Sequence, residues 1–358
     1  MMPLRTTQGG NAMKYQLDEQ FNLACLEELM NTPSPVGYRS RMVPVLERYA
    51  AMFGQSVTYD NKGTAYITMD GHDKSRTVMV STHLDTLGLV GRRIEPDGTI
   101  RARNMGALNF HSAEGESVTI HTRHRGDYTG LLAVSSHSIH VFDDCREMPR
   151  DEYNMLILLD EKVTCREDVV KLGIRHGDLI SIEPRFEVTK SGFVKSRFID
   201  DMAAVSCVFT LLKYMQEKGL KPKYRTVIGF TYMEEVMLGG NYIPPEICEA
   251  VALDIGCIGP DQDGTEYGVS ICAYDNNGPY NWELTTRLVT LAEKLGCDYA
   301  VDTFRHYGSD LSAAIKGGCN VKVGVFGMAV TCSHGRERTH LDGLKNTYEL
   351  LTGYVLGA

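Results

Sequence analysis

The sequence contains no apolar run approaching the roughly 18 residues that a membrane-spanning helix needs. Its N-terminal segment, Met1–Gln20, is broken by Gly9, Gly10, Asn11 and several polar side chains, so the apolar core of a secretory signal is absent. No membrane partner is expected. There is no surplus of positive charge either: 37 Lys and Arg stand against 46 Asp and Glu, a net charge of −9. An acidic chain lacks the basic footprint of a nucleic-acid binder and has no electrostatic reason to dock on anionic lipid. The ten cysteines, Cys25, Cys145, Cys165, Cys207, Cys248, Cys257, Cys272, Cys297, Cys319 and Cys332, stand singly, and none is paired at C-x-x-C spacing. A thiolate zinc site is therefore not expected, and free thiols in apolar surroundings fit a reducing, cytoplasmic compartment. Internal repeats and low-complexity tracts are missing as well.

What remains is a chain of 358 residues with 43% hydrophobic and 23% charged residues, ample for a large core and for about two domains. Residues 1–13 read as a loose extension, with Met13 an alternative start. Residues 18–30 and 39–53 carry helical periodicity, and the strands expected after them end in TVMVST, over 77–82. From residue 91 to 195 the texture changes to short alternating stretches broken by Gly and Asp, as in a small barrel or sandwich, with one short helix near 166–172. From 196 onward helices and strands alternate again. A helix is predicted over 202–217, strands over 226–233, 250–254, 269–273, 299–302 and 321–326, and helices over 280–295, 311–316 and 341–356. The pattern is that of an α/β sheet domain, formed by residues 1–90 and 196–358, with a β domain inserted at 91–195.

Five polar spots share a position at the end of an apolar strand or the entry to a helix, where open α/β sheets place their sites. His83-Leu84-Asp85 follows the strand at 77–82, and residues two apart share a face, so Asp85 is placed to accept a hydrogen bond from the imidazole of His83. Asp200-Asp201 precedes the helix at 202–217 and could cap it or bridge cations. Glu234-Glu235 ends the strand TVIGFTYM; if the strand stops there, both carboxylates can enter a cleft, one as metal ligand and one as general base. Asp254 ends the next strand, and His334 lies beyond the strand at 321–326. Each pattern alone is common. Together, two histidines and three carboxylates are donors that suit zinc, cobalt or manganese. They suffice for two cations about 3.5–4 Å apart if one carboxylate bridges, and one glutamate is left over as a base.

At these residues the chain resembles the M42 metallo-aminopeptidases from about residue 15 onward. The matching motifs are His83-Leu84-Asp85, Asp200-Asp201, Glu234-Glu235-Val236, Asp254, Gly308-Ser309-Asp310 and His334. Inside the insertion, Lys171-Leu172-Gly173-Ile174-Arg175-His176-Gly177-Asp178 is similar to the family's signature. The resemblance implies a mixed-sheet, zinc-peptidase-like α/β/α domain with an inserted small β-barrel that serves subunit contacts and access. It implies two divalent metal ions, zinc first, with His83 and Asp254 on one, Glu235 and His334 on the other, and Asp200 bridging. Glu234 would be the catalytic general base, and the catalytic Asp85 would orient His83. A cis peptide bond between Asp200 and Asp201 is implied as well. The expected activity is hydrolysis of N-terminal residues or amides of short peptides or aminoacyl amides, in a homo-oligomer between dimer and dodecamer. Three departures bear on substrate choice: Thr86 where the family often has Glu, Met202-Ala203-Ala204 in place of Arg-x-Gly, and Gly335-Arg336 in place of Ser-Pro. They are similar to an M42 subgroup associated with synthesis of an acetylated glutaminylglutamine amide. The competing readings are a non-catalytic assembly protein that kept the fold and an endoglucanase-type glycosidase.

Overall fold

The computed structural model describes residues 14–358; the loose extension expected over 1–13 lies outside them. A ten-stranded mixed sheet forms the frame. Its centre is four parallel strands in the spatial order Tyr224–Thr231, Asp73–His83, Ile247–Leu253 and Lys322–Val330. Antiparallel neighbours flank them: Ala65–Met69 on one side and Val269–Asp275 on the other.

Alternation along each central strand builds two cores, one per face, because side chains two apart share a face. Val80, Ile228, Val251 and Phe326 pack with helices Glu19–Met30, Ile199–Lys218, Trp282–Leu295 and Leu341–Leu356. Met79, Val227, Ala250, Ala252 and Val325 face the opposite way, towards Leu311 and Ala314 of helix Asp310–Lys316. The result is the expected three-layer α/β/α arrangement. Strands apolar on both faces are what a parallel sheet covered on both sides requires. The helix at Ile199–Lys218 is apolar almost all round, with Met202, Val205, Phe209 and Leu212 all buried, because neighbouring helices and the sheet enclose it. All ten cysteines are unpaired.

The chain leaves the sheet after His83 and forms a closed six-stranded barrel, in the order Gly88–Ile94, Ile100–Met105, Met155–Leu159, Asp127–Val134, Ser117–His121, Leu179–Ile182. Leu89 pairs with Ile180 to close it. The short helix Arg166–Leu172 lies where expected, and Phe110–Ala113 adds a further turn of helix.

Among the differences from the sequence expectation, two bear on the C-terminal part of the chain. The strand expected at 321–326 continues to Val330. A separate three-stranded sheet, Glu187–Val188, Phe193–Ser196 and Glu337–His340, joins the barrel's exit to the C-terminal part of the chain. Its strands are two to four residues long, too short to announce themselves by alternation.

Barrel and sheet domain are pinned together by an ion cluster whose central pair, Arg197 and Glu116, is buried. Arg197, 1% exposed, donates to Glu116 Oε1 at 2.9 Å and to the carbonyl of Ser112, while Arg185 Nε lies 2.6 Å from Glu116 Oε2. Removing one partner of a buried pair leaves the other charge uncompensated. Glu116→Ala is therefore expected to lower unfolding stability by about 3–5 kcal/mol, read by urea denaturation of the intact chain. A loss under about 1 kcal/mol would show that the cluster is not a structural clamp.

Candidate metal centre

The four central parallel strands end on one edge of the sheet, and four of the five ligand candidates lie there. His83 is the last residue of Asp73–His83, and Asp254 follows Ile247–Leu253 directly. Glu234 and Glu235 follow Tyr224–Thr231, and His334 lies just past Lys322–Val330. The strand carrying the two glutamates stops at Thr231 rather than Met233, and Glu234–Val236 form a single 3₁₀ turn. That turn lets two consecutive side chains enter one cleft, which a continuing strand would forbid.

Asp200 comes from the opposite side, at the entry to the helix Ile199–Lys218. Phe198 is left-handed there, Asp200 and Asp201 are non-helical, and the bond between those two aspartates is cis. Asp200 turns its two oxygens to two imidazoles: Oδ1 is 3.0 Å from His83 Nε2, and Oδ2 is 3.7 Å from His334 Nε2. His334 Nε2 is also 3.6 Å from Glu235 Oε2, and His83 Nε2 is 3.8 Å from Glu234 Oε2. Donor atoms of His83, Asp200 and Glu235 lie within 4.8 Å of one another, as do those of Asp200, Asp201 and Asp254. His83, Asp200, Glu234, Glu235, Asp254 and His334 therefore lie together at this edge.

Both imidazoles are set by their other nitrogen. His83 Nδ1 faces the carbonyl of Asp85 at 2.9 Å, and His334 Nδ1 faces the carbonyl of Ala107 at 3.2 Å. A carbonyl only accepts, so each Nδ1 carries a proton and each Nε2 is the nitrogen turned towards the other side chains. The Asp200 carboxylate also only accepts, so His83 Nε2 donates to it here and would bind a cation only after giving up that proton.

The role expected of the Asp85 side chain is corrected here. It is the Asp85 backbone carbonyl that holds His83; the nearest carboxylate oxygen is 3.6 Å away, beyond a hydrogen bond. The carboxylate instead accepts from the backbone N–H of Glu234 at 3.1 Å and of Glu235 at 3.2 Å. It fixes the turn that aims both glutamates.

Three further carboxylates escaped the sequence reading as parts of this scaffold. Asp201 accepts from the His83 N–H at 3.1 Å and from the Thr82 hydroxyl. Glu337 accepts from the N–H groups of Asp200 and His334, each at 3.0 Å. Asp310 accepts from Thr231 at the end of the strand before the two glutamates. A Cβ on Gly240 would stand 1.8 Å from the Asp310 carbonyl, so that approach needs glycine. For Asp310 the Gly-x-Asp motif was a signal; Asp201 was visible as half of a pair, and Glu337 had no signal.

Crowding dominates the electrostatics. Burial, followed by the charge of Asp200, pushes Asp254 up to about 8 and Glu337 up to about 8. Burial and surrounding carboxylates hold Glu234 and Glu235 well above the ordinary range. His83 is the counterpart. Burial opposes its charged form, but the Asp200 hydrogen bond and the charges of Glu234 and Asp201 outweigh it and hold the imidazole well above its usual value. A set of buried oxygen donors that repel one another, interleaved with two imidazole Nε2 atoms, fits divalent cations, whose charge would relieve the repulsion and displace the His83 Nε2 proton.

The family model described as M42 glutamyl aminopeptidase matches residues 63–350. YhfE of Bacillus subtilis (strain 168), whose name provisionally assigns it to the aminopeptidases, is 40% identical over 331 residues, 92% of this chain and 96% of YhfE. Among solved structures, the TET1 peptidase of Pyrococcus horikoshii superposes with a TM-score of 0.82 at 21% identity, over 94% of this chain and 100% of that one. A Thermotoga maritima protein described as an endoglucanase superposes at 0.71 with 19% identity, over 93% of this chain and 96% of that one. At those identities the two structural likenesses concern the fold.

The corrected geometry of Asp85 carries its own test. Asp85→Asn puts an amide NH₂ against one of two backbone N–H donors and should release the Glu234–Glu235 turn. Activity or metal affinity is expected to fall about 10–100-fold, the usual effect of disturbing groups that orient ligands. It would be measured as kcat/KM alongside metal titration; wild-type values in both would contradict the assignment.

Proposed function

The chain belongs to the M42 glutamyl aminopeptidase family, and from that premise we propose that it is a two-metal aminopeptidase acting on short peptides or aminoacyl amides. In this reading Asp200 would serve both cations, His83 and Asp254 would help hold one, and Glu235 and His334 the other. The observation that carries it is the placing of the two Asp200 oxygens, one towards each imidazole. Imidazole and carboxylate donors suit zinc, with cobalt and manganese as substitutes.

Two bound cations would polarise the scissile carbonyl and lower the pKa of an attacking water. Glu234 stands beside this donor set without being needed in it, so its carboxylate is free to take the proton from that water and return it to the leaving amine. Asp85 aims it, through the backbone of the turn. The cleft's surplus of carboxylate charge favours a substrate that brings a free, positively charged N-terminus, which gives cleavage from the chain end. A glycosidase would need two carboxylates working at a set separation without metal and leaves His83 and His334 without a purpose.

The TET1 peptidase is described as able to assemble into a tetrahedron or a large octahedral shell. That description, together with Ile139, Val141 and Tyr153 exposed on the long connection between two barrel strands, supports a homo-oligomer built through the inserted barrel. An enclosed assembly of that kind would admit short peptides and exclude folded proteins. Multi-angle light scattering at micromolar concentration is expected to return a dimer or a larger species, up to a dodecamer; a monomer would overturn this part of the proposal.

The activity is tested by a panel of dipeptides and aminoacyl amides with zinc, cobalt and manganese, each substrate offered with a free and with an acetylated amine. Hydrolysis confined to free amines is expected. Glu234→Gln should retain its metal by elemental analysis while turnover falls about 10²–10⁴-fold, the scale of general-base catalysis. Undiminished turnover would remove Glu234 as the base.

A further inference from the structure

We propose that Glu337 is a positioning residue that fixes the bridging aspartate and the second imidazole relative to each other, and so sets the affinity of the cation site formed by Asp200, Glu235 and His334. The inference rests on the two-cation reading above. Glu337 opens the strand Glu337–His340, which pairs antiparallel with Phe193–Ser196 in the register Ser196 opposite Glu337. Ser196 leads through Arg197, Phe198 and Ile199 to Asp200. The pairing therefore brings Glu337 beside the segment that delivers Asp200, and the loop on its other side carries His334.

The side chain joins these two segments. Oε2 accepts from the N–H of Asp200 and Oε1 from the N–H of His334, both at 3.0 Å, across 137 and 3 residues of sequence. The backbone is irregular at both places: Phe198 and His334 have φ of +69° and +60°, and neither segment there belongs to a strand. Helix and strand partners are unavailable to these N–H groups, and a buried unpaired N–H is costly. One carboxylate meets both needs and at the same time locks two metal-facing side chains to a single rigid group.

Glu337 is 2% exposed, and burying a carboxyl group is costly. A glutamine would avoid that cost, but it has one acceptor oxygen; its NH₂ would oppose the second N–H. Only a carboxylate accepts from both sides. With both oxygens engaged by backbone N–H groups, Glu337 acts through Asp200 and His334 rather than as a ligand.

The test is titration of the metal-free full-length protein with zinc by calorimetry, in wild type, Glu337→Gln, Glu337→Asp and Thr339→Val. Thr339 lies on the same strand, is fully buried, and donates to the Ala329 carbonyl at 2.8 Å, so its variant reports the consequence of merely weakening the strand. Wild type should bind two zinc ions. Glu337→Gln should bind the first with affinity within about threefold of wild type and the second about 10–100-fold more weakly, and excess zinc should restore most of the lost kcat. Thr339→Val should lower the melting temperature and leave both affinities unchanged. If Glu337→Gln does not fold, Glu337→Asp, which keeps two oxygens on a shorter stem, should show the same selective weakening of the second ion. Two wild-type affinities in a folded Glu337 variant, or equal weakening in Thr339→Val, would overturn the assignment. A wild type that binds a single zinc ion would instead overturn the two-cation reading on which it rests.

Discussion

Asp85, Asp200, Asp201, Glu234, Asp254, Asp310 and Glu337 are all buried and gather around one edge of the ten-stranded sheet, and their mutual repulsion is the constraint around which the rest is organised. Desolvated like charges cannot be held together by packing alone. Backbone N–H groups do much of the holding. Asp85 takes those of Glu234 and Glu235, Asp201 that of His83, Asp254 that of Ile255, and Glu337 those of Asp200 and His334. Most of these donors belong to residues whose own side chains enter the cleft. The carboxylates thus aim one another through the main chain, and the oxygens left over, with two imidazole nitrogens, form a donor set whose natural partner is positive.

The sheet supplies the edge at which this can happen. Four parallel strands end together, so residues at or shortly past each end place side chains on a common edge, while both faces of the sheet are sealed by helices. The barrel is inserted directly after the first ligand, His83. It approaches the site again at Gly106, whose Cβ would lie 3.4 Å from that of Glu235, and at Ala107, whose carbonyl sets His334. The ion cluster around Arg197 ties the barrel to the segment leading into Asp200. Barrel position and ligand position are in this way one mechanical problem, which is why an insertion with no candidate ligand of its own still borders the centre.

Much of this was legible in the chain. Apolar runs followed by His83, Glu234-Glu235 and Asp254 mark strand ends whatever the tertiary context, because a strand sealed on both faces can turn polar only where it leaves the sheet. An α/β sheet domain interrupted by a β domain, barrel or sandwich, followed from the change in texture along the chain; the α/β/α layers and the barrel were what the family resemblance implied. What could not be read was whatever depends on partners far away in sequence. The Asp201 bond to Thr82 spans 119 residues and the Glu337 bond to Asp200 spans 137, and no local pattern encodes either. The three-stranded sheet that carries Glu337 is too short for periodicity. The direction of Asp85 was misjudged for a related reason: the face rule puts its carboxylate near His83, but the two N–H groups of the Glu234–Glu235 turn compete for it and win.

The central claim is that these side chains hold two cations with Asp200 between them. It is tested most directly by a crystal of the full chain grown with zinc, with anomalous differences recorded on both sides of the zinc absorption edge. The account predicts two peaks about 3.5–4 Å apart, flanking the Asp200 carboxylate, with His83 and Asp254 on one side and Glu235 and His334 on the other. A single peak, or peaks that do not share Asp200, would contradict it.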